Sequence, residues 1–204
     1  MTEFALPENN EQEFIEIASR LGIRKIYFLY DFGKFDKNKM HELDSHKSKK
    51  LEFEIGLLVN EKNISSAVKY SSILVAKSNE DDRLFIESKK IKIIFGFEEL
   101  SRKDHIHQRA SGLNHITCEL ARKNNMIIGF SYSSLLSRKG EDTSRLMGRM
   151  RQNISLCKKY GVKTAIGSFS SNPYNLRSPY DLASLFRILG MEGKNIKDSL
   201  EIVI

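Results

Sequence analysis

Residues 107–130, HQRASGLNHITCELARKNNMIIGF, combine a loop, a helix, a short turn and a buried strand. Ser111 can cap a helix, and Leu113, Ile116, Leu120 and Ala121 then fall at helical spacing on one face. Asn124 and Asn125 tolerate the left-handed conformation that ends a helix, and Met126–Phe130 is an apolar run of strand length. Core packing accounts for the apolar face. The polar face is different: His107, Arg109, Asn114, His115 and Arg122 crowd the start and flank of one short helix.

The same alternation extends in both directions. Upstream, Thr2–Leu6 reads as a short strand, and residues 11–21 as a helix with Phe14, Ile17, Ala18 and Leu21 inward. Lys25–Tyr30, Glu52–Val59, Ser72–Ala76 and Ile91–Phe95 read as strands. Lys62–Tyr70 and Asn79–Ser88 are short helices, the second with Leu84 and Phe85 inward. Downstream, Ser131–Leu136 is a turn of helix. A long helix then runs from about Thr143 to Tyr160 with Leu146, Met147, Met150, Ile154 and Cys157 facing the core. Gly161 ends it, and Lys163–Ser168 is the next strand. Ser178-Pro179-Tyr180-Asp181 is a helix start with a serine cap, proline at the first position and an acid in the first turn. Leu182, Leu185, Phe186 and Leu189 face inward and Gly190 stops that helix. A short helix from about Lys194 and an apolar Glu201–Ile204 follow. Eight possible strands separated by helices predict a parallel sheet with right-handed crossovers. The expected fold is a small, irregular, TIM-like (β/α) barrel, one domain over residues 1–204. An open doubly wound sheet fits the pattern slightly less well.

No apolar run reaches membrane-spanning length, and MTEFALPENNEQEF has neither a basic leader nor a hydrophobic signal segment. Cys118 and Cys157 fall on predicted helices near apolar faces and read as buried free thiols. The expectation is a cytoplasmic protein with no membrane partner. A net charge of +7 and a pI near 9.3 favour a polyanionic partner. Residues 31–50 are lysine-rich, with Lys34, Lys37, Lys39, Lys47, Lys49 and Lys50, and suit either a solvated surface or phosphate contact. Between 138 and 163 stand Arg138, Lys139, Arg145, Arg149, Arg151, Lys158, Lys159 and Lys163, opposed only by Glu141 and Asp142. Arg145, Arg149 and Gln152 share a helical face. An exposed helix normally mixes its charges, so this one reads as a binding surface.

Catalytic signatures are absent. There is no phosphate-binding glycine loop of either common type and no G-x-S-x-G. His105 and His107 form an H-x-H pair, but Arg102, Lys103 and Arg109 surround it and oppose a cation. Cys118 and Cys157 lack zinc-site spacing. RNA binding remains: Lys and Arg meet phosphates, and Arg can also stack on unpaired bases. Arg109, Arg138, Arg145, Arg149 and Arg177 are the best candidates for RNA contact. Tyr174 and Tyr180 either stack on bases or lie partly buried at the base of their loop. Asn114 suits backbone capping better than base recognition.

Four motifs occur in order: HxRxSGLNH at 107–115, the IGF strand at 128–130, RQN-x₃-CKKYG at 151–161, and NLRSPYDLASLFRILGM at 175–191. In that combination, from about Asp104 to Gly190, the chain resembles the ribonuclease P protein component 3 family, archaeal with a eukaryotic counterpart. Ile166–Phe169, IGSF, departs from it, because relatives more often place a Ser-Gly-Ala-like turn after this strand. The resemblance implies a TIM-like barrel without the metal ligands of barrel phosphoesterases. It implies a protein subunit of a ribonucleoprotein endoribonuclease, itself non-catalytic, in which RNA removes the 5′ leader of precursor tRNA. The implied partners are the ribonuclease P RNA, protein component 2 and the other protein subunits, with precursor tRNA contacted indirectly. No cofactor is expected on the protein; magnesium is expected with the RNA. The alternative is a metal-dependent barrel phosphoesterase acting alone through His105, His107 and unidentified carboxylates.

Overall fold

The computed structural model describes residues 1–35, 51–79, 82–100, 103–104 and 109–204. Seven strands form one parallel sheet in sequential order: β1 (Thr2–Ala5), β2 (Lys25–Asp31), β3 (Glu52–Val59), β4 (Leu74–Lys77), β5 (Ile93–Phe95), β6 (Ile127–Ser131) and β7 (Lys163–Gly167). Helices α1 (Glu11–Arg20), α2 (Ile64–Ala67), α3 (Asp82–Glu87), α4 (His115–Lys123), α5 (Ser133–Leu136), α6 (Glu141–Tyr160), α7 (Pro179–Ile188) and α8 (Gly193–Leu200) occupy the connections. A doubly wound sheet reverses its strand order. This sheet does not; it curls until Ala5 bridges Ser170 in parallel and Leu6 N donates to Ser170 O. The result is a nearly closed barrel. The eighth strand expected at 201–204 does not form: Ile202 and Ile204 pack against the barrel's inner cluster, and Ile204 N donates to the Tyr27 hydroxyl.

Two apolar layers result from the two-residue period of the strands. Ile26, Phe28 and Tyr30 face outward to the helices, while Tyr27 and Leu29 face inward with Phe4, Val75, Ile93, Phe95, Ile127 and Ala165. A seven-stranded barrel is narrow, and its aromatic rings fit because inward positions on the adjacent strands β6 and β7 are glycines. A Cβ on Gly129 would lie 2.8 Å from Phe95 Cβ and 2.9 Å from Phe169 Cζ; one on Gly167 would lie 2.8 Å from Phe4 Cδ2. Phe169 stacks between Phe4 and Phe95, with ring centroids 5.0 and 4.4 Å away. It adopts φ 45°, a conformation that favours glycine, so the departure at IGSF is a buried ring held in a glycine-like backbone.

The seam between β1 and β7 lacks a full ladder. Glu3 completes it: its Oε1 accepts from Phe4 N and Ser168 N. Glu3 is fully buried and its Oε2 has no partner. Burial pushes its carboxyl up to about 7 against the pull of these donors.

Local chemistry explains several helix limits. Ser178 Oγ accepts from Asp181 N at the start of α7, as expected. Asn125 ends the α4 segment at φ 53°, and Gly161 ends α6 at φ 65°. Three expectations fail. Asn114, not Ser111, caps α4, its Oδ1 accepting from Thr117 N at 2.9 Å; Ser111 is buried against α6 instead, and Ile116 is exposed. On α3 it is Asp82, Phe85 and Ile86 that are buried, at helical spacing on one face, while Leu84 falls on the other and is 54% exposed. Cys118 and Cys157 are buried free thiols. Among the described residues no helix is long and apolar enough to cross a membrane.

Candidate nucleic-acid interface

The connections after β5, β6 and β7 meet at the carboxyl end of the barrel. All five candidate arginines lie in or beside them: Arg109 before α4, Arg138 between α5 and α6, Arg145 and Arg149 in α6, and Arg177 before α7. Active and binding sites of barrel proteins gather at this end.

Arg149 points inward, contrary to the expectation that it shares an outer face with Arg145. Its side chain is 5% exposed. Nε and Nη2 bond Asp104 Oδ1 at 2.8 and 2.7 Å, and Nη1 donates to the carbonyls of Glu98 and Leu100 at 3.2 and 2.9 Å. A step of four residues on a helix advances by about 40°. That is enough to carry position 149 into the contact with the 3₁₀ turn Phe97–Glu99 while position 145 stays in solvent. Arg145 pairs loosely with Asp142 at 3.4 Å.

Arg109 lies across the same helix. A Cβ on Gly148 would stand 2.5 Å from its Cζ, so the glycine is what lets the guanidinium rest on the α6 backbone. Arg109 Nη1 reaches Asp104 Oδ2 at 3.4 Å. Gln152 locks the loop: its Nε2 donates to Arg109 O and Ser111 Oγ, and its Oε1 accepts from Arg109 N. Burial alone would raise the Asp104 carboxyl, but hydrogen bonds from Arg149 and Ala110 N and the two guanidinium charges hold it below the usual range.

Beneath this pair lies a second, fully buried one. Asn153 Nδ2 donates to Ser111 O at 2.8 Å and, at 3.4 Å, to Glu98 Oε2. Glu98 Oε1 and Asn153 Oδ1 are buried without partners. Burial pushes the Glu98 carboxyl up to about 7, the charge of Glu99 adds to that, and Asn153 and Arg138 oppose it. A proton on Glu98 supplies a donor to a pocket that otherwise holds two orphaned acceptors.

Arg177 donates to the carbonyls of Tyr174 and Leu176, which fixes the turn ahead of α7. Tyr174 and Tyr180 are 73% and 84% exposed rather than tucked under the loop. Arg109, Arg138 and Arg149 therefore converge on Asp104 and Glu98, Arg145 stands one helical turn away, and Arg177 belongs to the neighbouring connection. Sequence reasoning missed Glu3, Glu98 and Asp104. Only Glu3 left a trace, as an acid inside an apolar strand.

No three His, Cys, Asp or Glu among the described residues form a group that could hold a metal. His105 and His107 lie outside the described residues, as do residues 36–50 of the lysine-rich segment. Asp104, the acid shared by Arg109 and Arg149, is already committed to two arginines and a backbone amide. Fold and rim define a parallel α/β barrel protein with cationic carboxyl-end connections.

The family model of RNase P subunit p30 matches residues 100–203, just over half of the sequence, and the chain belongs to that family. It is 31% identical over 96 residues to ribonuclease P protein component 3 of Methanocaldococcus jannaschii, an alignment spanning 47% of this chain and 39% of that protein. Against the component 3 protein of Methanococcus maripaludis strain S2 the identity is 23% over 179 residues, 84% of this chain and 75% of the relative. The match to the relatives from M. jannaschii and Methanosarcina acetivorans spans about two fifths of their length. In solved structures, a chain of the cryo-EM structure of archaeal ribonuclease P with mature tRNA superposes with TM-score 0.82 at 23% identity, over 98% of this chain and 87% of that one. The barrel fold is common to both.

Proposed function

We propose that this chain is a protein subunit of ribonuclease P that binds the catalytic RNA and supports RNA-catalysed removal of the 5′ leader from precursor tRNA. The observation that carries this is the coincidence of the family match, residues 100–203, with the segment that builds the arginine-rich rim. In this role Arg138, Arg145 and Arg177 face RNA. The exposed rings of Tyr174 and Tyr180 offer stacking surfaces for unpaired bases. Arg149 and Arg109 act one step back, holding the loop before α4 against α6. Protein component 2 is the expected direct partner, and the other protein subunits and precursor tRNA complete the assembly. Magnesium belongs to the RNA on this reading, since the rim carboxylate Asp104 is neutralised by arginines. Cations on the protein lower repulsion between phosphates that the folded RNA brings together.

The test is cleavage of precursor tRNA by reconstituted ribonuclease P with and without this chain, beside the chain alone. Cleavage that requires the RNA and rises several-fold when the chain is added is expected. Cleavage by the chain without RNA would contradict it.

A further inference from the structure

The amino end of the barrel carries a second cationic surface, on three consecutive helix-to-strand connections. After α3 come Lys89, Lys90 and Lys92; at the end of α4 come Arg122 and Lys123; at the end of α6 and the start of β7 come Lys158, Lys159 and Lys163. All eight are exposed, and residues 88–92, 122–126 and 158–163 contain no acid.

The fold presses these connections together. Asn124 Nδ2 donates to Ile86 O at 2.9 Å, tying the end of α4 to the end of α3. A Cβ on Gly161 would stand 3.7 Å from Arg122 Cδ, which places the ends of α4 and α6 side by side. In the sheet, Ile127 N donates to Lys92 O, and Ile127 is the register partner of Lys163. The backbones of Lys92 and Lys163 thus flank β6 at two strand spacings, about 10 Å.

Helix dipoles favour a cation in the last turn of each helix and so explain part of the cluster. They do not explain Lys89, Lys90 and Lys92, which follow α3, or Lys163, which opens a strand. Three helix ends contribute roughly half a negative charge each, far short of eight cations. Among the described ion pairs only Lys158 finds an acid, Glu192, and the nearby Glu87 is paired with Arg83. Glu119, one turn back on α4, and Asp198 on α8, which lines one cavity with Lys158 and Lys163, are the further acids close by, still too few for eight cations.

We infer that this amino-end rim is a separate phosphodiester-backbone binding surface, which grips RNA on the side of the barrel opposite the arginine-rich rim. It rests on the proposed role in an RNA assembly. Lysines suit it: a compact ammonium on a flexible stem meets phosphates of varied geometry without requiring a fixed fork. A chain cationic at both ends can lie between two RNA segments, which one binding face cannot do.

The test measures binding of the full chain to a ribonuclease P RNA transcript across a salt series. The triple variant Lys92→Gln, Lys123→Gln, Lys163→Gln is compared with the unaltered chain. Each phosphate contact contributes roughly 0.7 to 0.9 to the slope of log affinity against log salt, so the slope should fall by about 2. A second triple variant, Lys89→Gln, Lys90→Gln, Lys159→Gln, should behave alike and stands in if the first unfolds. An unchanged slope in a folded variant overturns the second surface and leaves the proposed function intact. Failure of the unaltered chain to bind the transcript at any salt overturns both.

Discussion

At the carboxyl end of the barrel the guanidinium groups of Arg109, Arg149 and Arg177 are bonded to Asp104 or to backbone carbonyls, whereas at the amino end Lys92, Lys123 and Lys163 stand in solvent. Both ends look equally basic as strings of letters. The difference lies in what each cation can do. A planar guanidinium with five donors can satisfy a carboxylate and two carbonyls at once, so it organises loops. An ammonium has three donors on a flexible stem and keeps its charge available. At the carboxyl end part of the positive charge holds loops together, beside the exposed Arg145, and at the amino end the lysines face outward.

That contrast breaks most visibly at Arg149. Replacing it with Ala leaves the half-buried Asp104 with only Arg109 and an amide as partners and removes the donor from two carbonyls, a loss of about 2–3 kcal/mol. The Lys123→Gln change at the other end should shift stability by no more than about 0.5 kcal/mol. Urea unfolding of both variants measures the gap; equal effects would mean that Arg149 is no more structural than a surface lysine.

Next in size is pH. Glu3 and Glu98 both bind a proton more tightly when folded, with carboxyls raised to about 7 from 4.5. Their stabilisation is therefore complete below about pH 4.5 and is lost as pH rises through about 7, by roughly 3 kcal/mol each. In the Glu98→Gln variant the amide can donate to Asn153 Oδ1 at any pH. Unfolding free energies between about pH 5 and 8 should fall less in that variant than in the unaltered chain; parallel curves would show that Glu98 is not proton-linked. Asp104 acts in the opposite window. Its carboxyl is held below the usual range, so its contribution is present above about pH 4 and is lost on further acidification.

Smaller effects sharpen the account. Asn114→Ala removes the α4 cap and should cost about 1 kcal/mol in thermal or urea unfolding, while Ser111→Gly should leave the helix start unchanged. Arg145→Gln should barely alter stability but should reduce the salt slope of RNA binding by about 1.

The alternation of strands and helices was legible because buried parallel strands and amphipathic helices leave strong periodic signals. Glu52–Val59 was placed to the residue, and the Ser178 cap follows from its local chemistry. The eighth strand was not legible as absent: Glu201–Ile204 is apolar because it packs against the barrel's inner cluster, and packing against a barrel resembles pairing in a one-dimensional pattern. The direction of Arg149 was hidden for a similar reason. Whether a helical arginine points out or in depends on a carboxylate 45 residues earlier, Asp104, and no local spacing reports that contact. The amino-end rim was written as SKKIK, RKNN and KKYGVK in three distant places, and only the sheet register brings them to one edge.

The most direct measurement is the rate at which individual lysines react with an amine-modifying reagent, with and without ribonuclease P RNA, read by mass spectrometry. The account predicts several-fold protection of Lys89, Lys92, Lys123 and Lys163 when RNA is present, with Lys194 and Lys197 on α8 little changed. Unchanged reactivity at the amino-end lysines, with protection confined to Lys103 and Lys139 at the carboxyl end, would contradict it and leave the barrel a single RNA-binding face.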